Sequence, residues 1–204
     1  MLSQIAERNF ELIRKAIGRV LTAEFANQYT LNEAASSGTG ISVSVTMEQS
    51  APIDKEDLPQ VNIVWAESQK EDDPTAFSSI YDNKFLVEIY TSGVSGSDDR
   101  GDKLAAYNLS RIAGMIDYIL KNPIYAYLDF TDKTFIRTRH IQQMVRTQPR
   151  QTDSAENILS GVIEVHYIAE ETTELQTGKV EALLDTVVKI AETEKGYKFQ
   201  IVNS

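Results

Sequence analysis

The chain contains no cysteine. That absence excludes a disulfide scaffold, a thiolate zinc site, an iron–sulfur cluster and a thiol nucleophile together, and it suits a reducing compartment. Histidine is nearly absent as well, with only His140 and His166. No apolar run approaches the roughly 18 residues that a membrane span needs. The first residues, MLSQIAERNFELIRK, carry acids early and hold no continuous apolar stretch, so they do not read as a secretory signal. Internal repeats and low-complexity tracts are missing too. Basic charge is in deficit: 20 Lys and Arg stand against 30 Asp and Glu, a net charge of −10. Such a surface is a poor match for general binding to nucleic acid or anionic membrane, both of which select basic faces.

What is present suffices for a core. A chain of 204 residues makes one domain, or one domain with a decoration, and buries roughly 70% of its unfolded surface without metal or disulfide. Phe10, Ile13, Ile17, Val20 and Leu21 recur at three- and four-residue steps, predicting a helix over 3–25 with Ser3 as its cap. Strict alternation predicts a strand at 41–48, and further strands are expected at 61–68 and at 84–91, where Phe85, Val87 and Ile89 alternate. Between them lie an acidic, proline-bearing interruption at 49–60 and a loop at 69–83. Ala105, Leu109, Ile112, Ile116 and Ile119 form a helical stripe that Asn122-Pro123 ends. Strands are expected at 134–147 and 160–171, separated by a polar loop at 148–159. A last helix at 179–194, with Gly196 as its C-cap, and a short closing strand complete the reading as a C-terminal addition at 179–202. The class is α+β: a single domain over 1–204, its mostly antiparallel sheet packed by amphipathic helices.

The stretch GSDDRGDK (96–103) has two glycines five apart with a lysine close behind, and it contains Arg-Gly-Asp. A phosphate loop needs lysine directly after its second glycine, then a hydroxyl for the metal; here Asp102 follows Gly101 and Ala105 lies beyond Lys103 and Leu104. Asp98, Asp99 and Asp102 suit a helix N-terminus electrostatically and would repel phosphate, so the stretch reads as a capped helix start with Asp99 as N-cap. A three-residue receptor motif running into a helical turn carries little weight. No Gly-x-Ser-x-Gly elbow occurs. The two histidines fall on separate predicted strands, and a metal site would require the fold to bring them together with a carboxylate.

Lys133, Arg137, Arg139, Arg146 and Arg150 follow one another with no acid among them, a local reversal in an acidic chain. Three readings stand: a solvated strand face, one side of an ion-paired interface, or a nucleic-acid contact. The interface reading pairs Lys133, Arg137, Arg139 and Arg146 with Glu71, Asp72, Asp73, Asp98 and Asp99 on another copy. Unlike patches joined head to tail are what close a ring. Strand parity predicts that Arg137 and Arg139 project together.

An amphipathic helix, a run of strands, the segment KFLVEIYTSGVSGSDDRGDKLAAYNLSRIAGMIDYIL (84–120) and the strand SGVIEVHYIAE follow in order. This order resembles the tail terminator (tail completion) proteins of tailed bacteriophages and, more loosely, the neck proteins at the head–tail junction. The resemblance covers about two-thirds of the chain as a pattern of elements, with extra segments at 49–60, 69–83, 148–159 and 179–202. It implies a structural subunit of the virion tail or neck, assembled in the bacterial host cytoplasm. Its copies would form a ring, usually a hexamer, that caps the tail tube and meets the neck or connector protein, and the sheath in a contractile tail. DNA would pass through the lumen without specific binding. No enzyme activity, catalytic residue, cofactor, metal or membrane contact is implied. Two other readings remain open: an adaptor or connector of a phage assembly, and a hydrolase or metal-dependent enzyme using His140 and His166.

Overall fold

Alternating apolar residues flatten three segments into strands, and two helical stripes cover the face those residues create. The computed structural model describes residues 7–35, 40–49, 57–71, 78–93, 101–131, 135–147, 158–172, 186–193 and 196–203, the last two stretches as backbone only. The elements are α1 (Asn9–Ala34), β1 (Ser44–Met47), β2 (Gln60–Lys70), β3 (Ser78–Ser92), α2 (Gly101–Lys121), a 3-10 turn (Pro123–Tyr125), β4 (Ile136–Thr147) and β5 (Ile158–Thr172). A hairpin of β6 (Thr186–Thr193) and β7 (Gly196–Asn203) follows.

The main sheet has the order β1-β2-β3-β5-β4. β1 runs parallel to β2 and every other neighbour is antiparallel, so the fold is α+β with one parallel pair. Register places Val61 opposite Ile89, Ile63 opposite Val87, and Phe85 and Val87 opposite Val165 and Ile163. All of these side chains are buried. They form the apolar face, since residues two apart on a strand share a side. α1 lies over β1 and β2, and α2 over β3 and β5. From α1 the core receives Ile13, Ile17 and Leu21; from α2 it receives Ile112, Ile116 and Leu120. Two glycines allow the close approach. A Cβ on Gly161 would sit 3.2 Å from a Leu109 methyl of α2, and one on Gly18 would sit 3.0 Å from the Met47 sulfur of β1. Buried Thr91 donates a 2.9 Å hydrogen bond to the Ala105 carbonyl, tying the end of β3 to the start of α2.

Several boundaries differ from expectation. α1 extends to Ala34 rather than ending near residue 25. Beyond Phe25 the amphipathic signal is lost because no residue there is buried, and Leu31 is exposed. The start at Asn9 is capped by the Arg8 N–H donating to Glu11 Oε2 at 2.8 Å; Ser3 lies outside the described residues. Most of the expected loop at 69–83 is strand. β2 runs on to Lys70 and β3 begins at Ser78, because Tyr81, Asp82 and Asn83 take up ladder positions opposite both β2 and β5. The expected helix at 179–194 is corrected over its described part. Residues 186–193 form a strand paired with 196–203, as the β-branched run Thr186-Val187-Val188 favours, and Gly196 opens a strand rather than capping a helix. Residues 148–157 and most of 49–60 lie outside the described residues. No described helix is long and apolar enough to cross a membrane.

This packing makes β5 the most sensitive strand. Ile163→Ala is expected to lower unfolding free energy by about 2–5 kcal/mol through lost burial and the cavity left behind. Gly161→Val should cost about 1–3 kcal/mol by overpacking against Leu109. Urea unfolding followed by circular dichroism measures both.

Candidate functional site

Two parts of the sheet are left uncovered by the helices: its other face, and the β4 edge. The uncovered face carries the alternate residues of β3, β5 and β4, and a polar cluster sits at its centre. His166 of β5 is buried, with its Nδ1 2.9 Å from both carboxylate oxygens of Asp82 on β3. Its Nε2 lies 3.0 Å from Glu164 Oε1. Lys84 Nζ forms an ion pair with Glu164 Oε2 at 2.8 Å. Hydrogen bonding from Lys84 first, and from His166 second, holds the Glu164 carboxyl below its ordinary range, and the same contact raises the Lys84 ammonium. His140 of β4 is directly opposite His166 in the ladder, and the two rings stack with centroids 4.7 Å apart and planes 13° from parallel. The condition that the sequence left open, two histidines gathered beside a carboxylate, is met here.

A second polar group closes the β1–β2 end of this face. The buried Asn62 side chain accepts from the Gln49 N–H and donates to the Gln49 carbonyl and Glu88 Oε2, each at 3.1 Å. Tyr90 donates to the same Glu88 oxygen at 3.1 Å. Buried amides must find partners of this kind, and these partners fix the chain after β1.

The β4 edge carries the arginines. A bulge falls between Ile136 and Thr138, so Arg137 is the extra residue of the strand. This corrects the expectation that Arg137 and Arg139 project together. Arg137 pairs with Glu170 at 2.7 Å, whereas Arg139, opposite buried Tyr167, turns to the helix side. There it donates to the Asn122 carbonyl at 2.7 Å and to the Tyr125 carbonyl, clamping the turn after α2. Burial pushes the Tyr167 phenol up, opposed by Arg139. A second bulge falls between Ile141 and Gln143. Beyond it Gln142, Gln143, Met144, Val145 and Arg146 are all exposed, although successive residues point to opposite faces. The outer edge of β4 pairs with no described strand.

Of the expected acidic partners, Glu71 is exposed just past β2, where its N–H donates to the Ile80 carbonyl at 2.9 Å. Lys133, Asp72, Asp73, Asp98 and Asp99 lie outside the described residues. Asp82, Lys84 and Glu164 were not singled out from sequence. The shared parity of Glu164 and His166 was visible in the alternation, but Asp82 sat in a stretch that read as loop. No protein-family model matches the chain, and no curated protein matches it.

The two arginines should respond differently to truncation. Arg139→Ala is expected to cost about 1–3 kcal/mol, because two carbonyls lose a charged donor. Arg137→Ala should cost about 0–1 kcal/mol, as exposed ion pairs do. Thermal melts of the two variants, run side by side, make the comparison.

Proposed function

We propose that the chain is a ring-forming structural subunit of a bacteriophage tail, a tail terminator that caps the tube and joins it to the neck. The far half of β4 carries this reading. Five consecutive residues of a paired strand are exposed on both faces, two of them the apolar Met144 and Val145, at 48% and 41%. A strand whose outer edge pairs with none of the described strands and whose two faces are open presents backbone groups and apolar area together, and a neighbouring copy satisfies both. The sheet has unlike ends, a long β4 at one and the four-residue β1 at the other. Unlike surfaces favour head-to-tail contacts, which close into a ring when the rotation allows.

Two further features support the reading. The order of a long helix, three strands, a second helix and two more strands is the pattern on which the resemblance rests. A separate apolar exposure lies on the helix layer, where Tyr118 is 73% and Ile124 78% exposed. A subunit with lateral neighbours in its ring and axial neighbours in tube and neck needs two such surfaces. Arg139 drops out of the lateral contact, since its guanidinium is committed to the turn after α2; Arg137 and Arg146 stay as its basic members. DNA threading the ring would meet a subunit of net charge −10, which favours passage over adhesion.

The test is assembly state. Native mass spectrometry and negative-stain imaging should show rings, alone or on added tube protein. The Met144→Asp, Val145→Asp double variant should stay monomeric while melting within a few degrees of wild type. Rings formed equally well by the double variant, or a wild-type chain monomeric both alone and with tube protein, would overturn the proposal.

A further inference from the structure

We propose that Asp82, His140 and His166 form a binding site for a divalent transition cation of the zinc class, supported by Glu164 and Lys84. The ladder builds the site. His140 and His166 are directly opposed on β4 and β5, and Asp82 stands on β3 two residues from Lys84, which opposes His166. Three adjacent strands therefore present three ligands on one face, and one ligand atom from each lies within 4.8 Å of the others. An ion bonded at about 2.1 Å wants its ligands ~3.4 Å apart in a tetrahedron. The exposed His140 ring closes that difference by rotating about its own side-chain bonds.

The inventory of protons points to a cation. A neutral imidazole carries one N–H and one lone pair. His166 nevertheless has a carboxylate at each ring nitrogen, 2.9 Å on one side and 3.0 Å on the other. One contact is a hydrogen bond; the other sets a lone pair against a carboxylate unless something positive lies between them. With a cation on Nδ1 the imidazole proton sits on Nε2, and Glu164, held in place by Lys84 at 2.8 Å, accepts it. The Nδ1 lone pair is then left facing both oxygens of Asp82, and a metal ion there bonds to both. A histidine that ligates through one nitrogen while donating the other N–H to a carboxylate is the usual arrangement in metal sites. Two imidazoles and one carboxylate are a borderline donor set, suited to zinc, cobalt or nickel rather than to magnesium or calcium. With His140 exposed, water completes the coordination. The rival occupant of the gap is a second proton, making an imidazolium.

The composition makes the test clean, because these are the only two histidines and the chain has no cysteine. Tag-free full-length protein, stripped with chelator, is titrated with Zn²⁺ by calorimetry and with Co²⁺ in visible absorption. One equivalent should bind per chain, and Co²⁺ should give the intense ligand-field bands of a low-coordinate site. His140→Ala, a change at an exposed position, should weaken binding on the order of tenfold or more, with melting unchanged in the absence of metal. Asp82→Asn, which keeps the shape of the side chain, should weaken binding by a similar factor. Equal zinc affinity in wild type and both variants, or no saturable binding at all, would overturn the site. So would ¹⁵N spectra showing both His166 nitrogens protonated and unmoved by Zn²⁺, since the gap then holds the proton.

Discussion

The burial of one face of the β2-β3-β5 ladder beneath α1 and α2 is the constraint on which the rest depends. Side chains alternate along a strand, so committing Val61, Ile63, Phe85, Val87, Ile163 and Val165 to the helices commits their neighbours to the other side. Asn62, Asp82, Lys84, Glu164 and His166 are consequently gathered on one surface by the same register that forms the core. The polar cluster is the complement of the hydrophobic one. A one-residue slip of β5 would bury Glu164 and expose Ile163, so the core enforces the geometry of the cluster and the cluster opposes the slip.

Much of this was legible in the sequence, for a definite reason. Where one face is buried and the other wet, as in KFLVEIYT and GVIEVHYI, alternation announces both the strand and its buried side. The α2 stripe was equally plain because α2 is buried along most of its length. Signals failed where that asymmetry failed. Beyond Phe25 no residue of α1 is buried, so its period faded. Ser78-Ser79-Ile80-Tyr81-Asp82-Asn83 has turn-forming residues but holds its ladder place by pairing with β5 throughout and with β2 from Tyr81 on, information that lies in those strands rather than in the segment itself. The β-branched run at 186–188 fits a helical wheel and a strand alike, and cross-strand pairing decided it.

The candidate surfaces were half legible. Both histidines and the arginine row stood out by type. Their grouping did not, because strand order is a non-local property: β5 sits between β3 and β4 although it follows both in sequence. The arginine pair was misjudged for a smaller reason. A bulge is a single added residue with no compositional mark, and it reverses the sidedness of everything before it. Arg137 thereby joins Glu170 on one surface while Arg139 serves the turn after α2 on the other.

The two irregularities in β4 bear on how the molecule avoids a fate open to any exposed strand. A straight, regular edge is a template on which strands stack without limit, ending in ribbons and fibres. An edge interrupted at residues 137 and 142 has two short runs, 138–141 and 143–147, out of step with one another, and a regular strand matches only one of them. What docks along its whole length must carry the same interruptions in mirror order. An edge broken in this way is a poor template for strands in general, as interrupted edges are.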